Sequence, residues 1–147
     1  EETFDLIWAE GSLYIMGFEN ALSVCWHLLK PGGYLAASEV CWLREDPPEE
    51  LRSFWQREYP DIKTVGDNIQ SIGECGFELL GHFTLPDRAW WDDYYAPMKR
   101  RLKELRVKYA DEPRAQALFT ESDHEMEMHR KYSRWYGYVF FVAQKRA

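Results

Sequence analysis

The sequence predicts an α/β protein with four strands separated by helices. Three observations carry this. Short apolar runs rich in aromatic and β-branched residues recur at 4–10, 34–40, 77–85 and 138–143. Between them lie stretches whose apolar residues fall at helical spacing. The first two runs and the helix between them form a strand–helix–strand unit, whose crossover is expected to be parallel and right-handed. The composition fits this class: 147 residues with 46% hydrophobic and 16% aromatic content suit one domain over 1–147 that buries a core without disulfides or metal.

Each element follows from its residues. FDLIWAE at 4–10, closed by Gly11, has the pattern of a strand buried on both faces. From 18 to 29, Leu22, Cys25, Trp26 and Leu29 fall at helical spacing, and KPGG at 30–33 supplies a helix stop and a turn. YLAASEV at 34–40 is the second strand, with Ser38 and Glu39 at its C-terminal end. The segment 46–59 opens with Asp46 three residues before Glu49, a capping-box spacing, and prolines fill first-turn positions where a missing N–H costs nothing. In 64–75, Val65, Ile69 and Ile72 mark a helix that Gly76 would end in a left-handed cap. The third strand runs over 77–85 and stops at Pro86. Two helical stretches, 90–109 and 114–136, are split by ADEP. The fourth strand is 138–143, and the tail QKR marks the exit to solvent. The insertion before that strand spans about 87–136.

Charge and cysteines narrow the function. A net charge of -7 argues against a nucleic-acid binder, because phosphate neutralisation needs a basic footprint. No run of 18 apolar residues predicts a membrane span, and the acidic start lacks the basic region of a signal peptide, so no membrane association and a cytoplasmic location are expected. Cys25, Cys41 and Cys75 form no CxxC pair, and His124 and His129 lie on different helical faces, so no metal site is expected. His82 lies mid-strand and reads as structural, while Cys41 reads as a small apolar residue. Basic residues from Lys99 to Lys108 and acidic residues from Glu121 to Glu127 predict solvated faces or pairing between the two helices.

FDLIWAEG at 4–11, LLKPGG at 28–33 and YLAASEV at 34–40 resemble the second half of class I S-adenosylmethionine-dependent methyltransferases, and are most similar to the bacterial small-molecule enzymes. GFELLGHFTLP at 76–86 and YGYVFFVAQKR at 136–146, with an aromatic helical insertion between them, resemble that family's last two strands. The resemblance implies a partial Rossmann-like sheet in the order 1-2-4-3, with the last strand antiparallel and helices on both faces. The family's glycine-rich loop and ribose-binding acid have no counterpart here: no GxGxxG or GxGxG occurs. S-adenosylmethionine is therefore implied for a complete enzyme, and no cofactor is expected to bind this chain alone.

Glu10, Gly11 and Glu39 lie at strand C-termini, the ligand edge of an open α/β sheet. The resemblance puts the Glu10–Gly11 turn near donor and substrate, and so implies cofactor contacts there. Alternatively, Glu10 pairs with a helix and Gly11 only makes the turn. Glu10 and Glu39 are the candidate general bases, able to deprotonate or orient a hydroxyl or amine. Tyr14 and Trp42 are candidate substrate contacts, or packing residues. Trp90, Trp91, Tyr94 and Tyr95 stand where the resembling enzymes build a substrate lid, and their faces suit a flat or cationic substrate, although helix packing also needs such residues.

The expected function is the substrate-side half of a methyltransferase acting on a small molecule, incomplete for cofactor binding. The alternative is a non-catalytic small-molecule-binding or assembly module on the same fold. A homodimer is expected through the first strand, whose outer edge carries no proline or lysine to block pairing.

Overall fold

The structure, a computed structural model, describes residues 3–146. The chain forms two compact units: one runs to Leu85 and resumes at Arg134, and the other is Pro86–Ser133.

The first unit is built on a five-stranded sheet. β1 (Phe4–Glu10) pairs parallel with β2 (Leu29–Trp42). On its other side β2 pairs antiparallel with β5 (Tyr136–Lys145), which in turn pairs antiparallel with β4 (Phe77–Thr84). The two-residue β3 (Lys63–Thr64) runs parallel to the end of β2, so the spatial order is β1-β2-β5-β4 with β3 off that path. Trp42 already faces Tyr136 of β5, which leaves β3 the side that β1 vacates beyond Glu10. The four-strand expectation is corrected to five, because a two-residue strand is too short to show periodicity; counting it also changes the numbering of the order.

Helices α1 (Phe18–Leu28) and α3 (Val65–Glu74) cover one face of this sheet. Leu22 and Cys25 of α1 and Ile72 of α3 bury against Leu35, Ala37 and Cys41 of β2 and Val139, Phe141 and Ala143 of β5. These strand residues alternate, as the period of two demands. Lys63 of β3 pairs with Glu19 of α1, and Ser71 of α3 donates to the same carboxylate at 3.1 Å, tying three elements together. That pairing holds the Glu19 carboxyl below its usual range.

On the opposite face one helix of this unit is in contact with the sheet. Helix α2 (Glu49–Glu58) reaches it at Tyr136, whose ring Trp55 meets edge-on at 5.0 Å. Elsewhere Leu6, Trp8, Tyr34 and Phe83 are exposed. Trp8 reaches Phe140 at 5.2 Å across the small Ala36, and Phe83 stacks on Phe140 at 5.5 Å. The reading of β1 as buried on both faces is corrected accordingly: Ile7 and Ala9 pack on the core, while Phe4, Leu6 and Trp8 face solvent from an edge strand.

Three local readings also change. KPGG is part of β2, which begins at Leu29 opposite Phe4; the register shifts there and Gly32 takes a φ of +77°, so the glycine serves an irregularity in the ladder rather than a free turn. Asp46 adopts a φ of 56° and α2 starts at Glu49 with no side-chain cap, so the Asp46–Glu49 box does not form. Thr64 and Asp67 make that box instead, at the start of α3. The tail does not simply exit to solvent: Lys145 is 2% exposed, donates to the Leu29 carbonyl at 2.8 Å and lies 3.9 Å over the Trp26 ring. A cation is favourable at this position, where α1 ends.

In the second unit, α4 (Asp87–Trp90) runs through a π-helical turn at Trp91–Tyr95 into α5 (Ala96–Lys108), and α6 (Pro113–Tyr132) follows. Arg106 of α5 donates to Asp123 of α6 at 2.6 Å and to the Phe119 carbonyl at 2.8 Å, so the segregated charges link the two helices. Among the described residues no helix is long and apolar enough to cross a membrane.

Candidate functional site

The ends of β1 and β2 carry the residues that the sequence singles out, and strand geometry sorts them. Glu10 stands in register with Ser38, so its side chain lies on the Ser38 face and the Glu39 side chain on the other. The two candidate bases therefore do not form a carboxylate pair. Glu10 is exposed and accepts a hydrogen bond from the Trp8 indole at 2.6 Å. Gly11 takes a φ of +50°, and a Cβ there would approach the Tyr138 hydroxyl to 2.9 Å. Its N–H is engaged by the Ser38 hydroxyl at 3.0 Å and the Ser38 carbonyl at 3.2 Å.

Glu39 is the unusual group. It is 1% exposed, and neither carboxylate oxygen has a hydrogen bond of normal length and angle. Burial raises its pKa to about 7, against a smaller opposing effect of the Tyr59 hydroxyl. That hydroxyl is close enough to favour the ionised carboxylate without closing a hydrogen bond of standard geometry. The Tyr59 phenol is itself pushed above its usual range, first by burial and then by the Glu39 charge. Tyr14 meets the Tyr59 ring edge-on at 5.7 Å, so Tyr14, Tyr59 and Glu39 form one constellation. Two residues along on the same face, Cys41 accepts a hydrogen bond from Asn68 at 3.2 Å, and burial lifts its thiol to about 12, which leaves it inert at neutral pH.

A buried carboxylate with no hydrogen bond of standard geometry is costly and rarely kept for packing. Near the C-terminal edge of a strand it can take a proton from an acceptor hydroxyl or amine, or hold that group in place.

Trp42 lies apart from this constellation. With Trp55, Pro60 and Ile62 it lines a cleft of about 280 Å³ between the end of β2 and α2. The four aromatic candidates of the insertion cluster within the second unit: Trp90 stacks on His129 at 4.5 Å, and Trp91 and Tyr95 meet that imidazole at 5.9 and 5.4 Å. Trp90, Tyr95 and His129 are buried, whereas Tyr94 is exposed. Burial lowers the basicity of His129. His82 is exposed beside Phe141, so it does not fill a structural role in the core.

Sequence reasoning missed Tyr59, Asn68, Arg44 and Trp55. No periodicity marks Tyr59, which follows α2 in an irregular stretch. Asn68 carried one available signal: it falls one turn before Ile72, on the buried stripe of α3.

No protein-family description matches the chain, and no curated protein does. Solved structures do. A SAM-dependent methyltransferase from Geobacter sulfurreducens, in complex with S-adenosyl-L-homocysteine, aligns over 99% of this chain and 59% of its own, at 18% identity and a TM-score of 0.76. A SAM-dependent methyltransferase from Thiobacillus denitrificans, also in complex with S-adenosyl-L-homocysteine, aligns over 99% and 60% at 16% identity and a TM-score of 0.74. The 4+2 cyclase SpnF aligns over 100% and 51% at 22% identity and a TM-score of 0.72. The chain has the fold of these proteins and spans between half and three-fifths of their length. One fold thus carries more than one reaction, and the site must decide.

Proposed function

We propose that this chain supplies the acceptor side of a SAM-dependent methyl transfer to a small molecule, with Glu39 as the group that deprotonates or anchors the acceptor. The carrying observation is the Glu39 carboxylate, buried within β2 three residues before its C-terminal end, with neither oxygen in a hydrogen bond of standard geometry. A base whose pKa lies near 7 accepts a proton most effectively at neutral pH. Tyr59, whose phenol stays protonated, steadies the carboxylate, and Tyr14 beside it offers an exposed aromatic edge to the acceptor.

The donor is a different matter. The Gly11 N–H is already engaged by Ser38, Glu10 is exposed, and the sequence has no glycine-rich loop. These residues do not make a cradle for S-adenosylmethionine, so its binding belongs to structure outside this chain, and Glu10 with Gly11 is at most the rim of that site. The sheet edge at β1 is a surface on which a second copy would pair.

The test is transfer of a radiolabelled methyl group to small hydroxyl and amine acceptors, by this chain alone and by a longer protein that joins it to a donor-binding portion. Turnover is expected only in the second case, and Glu39→Gln should lower kcat by roughly 10²–10⁴-fold with little change in the donor's KM. Turnover indifferent to that substitution would reject the role of Glu39. No turnover in either protein would favour a non-catalytic binding module.

A further inference from the structure

The cleft beside α2 has a charge opposite to that of the whole molecule. In a chain of 18 basic and 25 acidic residues, its lining holds two arginines, Arg44 and Arg52, against one glutamate, Glu45. Trp42, Trp55, Pro60 and Ile62 give it an apolar part, and Gln56 and Thr64 add neutral polar groups. Its volume of about 280 Å³ falls near the lower end of small-molecule sites and suits a small molecule rather than a polymer.

The arginines are available for a ligand. Arg44 holds its guanidinium carbon 5.4 Å from the centroid of the Trp135 ring, and it forms no ion pair among the described residues. Arg52 has only a loose pairing, 3.8 Å to Glu49, with both side chains more than half exposed. A planar guanidinium with a free N–H edge matches the two oxygens of a carboxylate or phosphate. The aromatic walls beside it match a flat apolar body.

We propose that this cleft binds a small flat molecule bearing one oxyanion, with Trp42 and Trp55 against its ring and Arg44, assisted by Arg52, on its anion. This goes beyond the proposed function: the cleft lies apart from Glu39, and the binding needs neither a donor nor that carboxylate.

The experiment is a titration of the ¹⁵N-labelled chain, following the indole N–H signals of Trp42 and Trp55. Benzoate and phenyl phosphate are the anionic probes, benzamide the neutral one, and inorganic phosphate the anion without a ring. The expected result is saturable shifts with at least one anionic arene, and binding about tenfold or more weaker for benzamide and for inorganic phosphate. Whichever arene binds more tightly identifies the anion as carboxylate or phosphate. Arg44→Met should weaken binding about tenfold, and Arg44→Lys by less, while both keep the parent's dispersed spectrum. Equal binding of benzamide, affinity unchanged in Arg44→Met, or no saturable shift with either arene would overturn the proposal. Binding here together with full turnover in Glu39→Gln would reject the role of Glu39 and leave this site standing.

Discussion

A carboxylate at 1% exposure with no hydrogen bond of standard geometry costs folding free energy whenever it is ionised, and Glu39 is such a group. Its pKa is raised from an ordinary 4.5 to about 7 in the folded chain. The folded state therefore holds the proton more tightly than the unfolded state does. The penalty is absent below about pH 4.5 and complete above about pH 7, so stability falls as pH rises through that window. The total is about 3 kcal/mol. Glu39→Gln should flatten the melting temperature between pH 5 and pH 8, on the order of the same window, and raise it by several degrees at the alkaline end. A variant that loses stability with pH as steeply as the parent would show that another group titrates. The same substitution is expected to slow the proposed acceptor chemistry, so stability and function oppose each other at this residue.

At the scale of the element, α3 shows how a helix start is specified. The Thr64 hydroxyl accepts from the Asp67 N–H at 3.1 Å, and the Asp67 carboxylate accepts from the Thr64 N–H at 3.2 Å and from its hydroxyl at 2.7 Å. Those bonds hold the Asp67 carboxyl below its usual range. Thr64 also belongs to β3, so the cap fixes the point where the chain leaves the sheet. Thr64→Ala should cost about 1 kcal/mol in urea denaturation, and Thr64→Ser much less. Equal losses in the two variants would mean that the methyl group, and not the hydroxyl, supports α3. The sequence pattern Thr-x-x-Asp was available for this reading, whereas Asp46 with Glu49 was the misleading one, since Asp46 leaves the helical region and the prolines delay the helix start.

For the molecule as a whole, the arrangement predicts separation of donor binding from acceptor binding. Calorimetry of this chain with S-adenosylmethionine should give no saturable heat, because the glycine loop and ribose-binding acid that would hold the donor are not in its sequence. A low-micromolar dissociation constant would contradict this. Among the described residues β1 ends the sheet with one edge unpaired, and Leu6 and Trp8 are exposed beside it, so a homodimer is expected, joining two β1 strands antiparallel. Light scattering of the parent should give the dimer mass and Trp8→Lys the monomer mass. Trp8 is the informative position, since Ile7 packs on the core and a charge there would damage the fold instead. A monomeric parent, or a dimer untouched by Trp8→Lys, would exclude the β1 contact.

The sequence by itself determined where the four long strands and the helices between them fall, and it put Glu10 at the end of its strand; Glu39, read at a strand end, lies inside β2, which runs on to Trp42. These are local properties, written in runs and periods of two and 3.6 residues. It also showed that no glycine loop for a donor is present. Only the tertiary structure decided which candidates act together. Glu10 and Glu39 look alike as strand-end carboxylates, yet the register of Glu10 with Ser38 sends their side chains to opposite faces. Tyr59 joins Glu39 from 20 positions along the chain, and Arg44 meets the ring of Trp135, 91 positions away. Burial had the same standing: FDLIWAE reads as a buried strand until its neighbours are known, because exposure depends on what covers a residue and not on the residue itself.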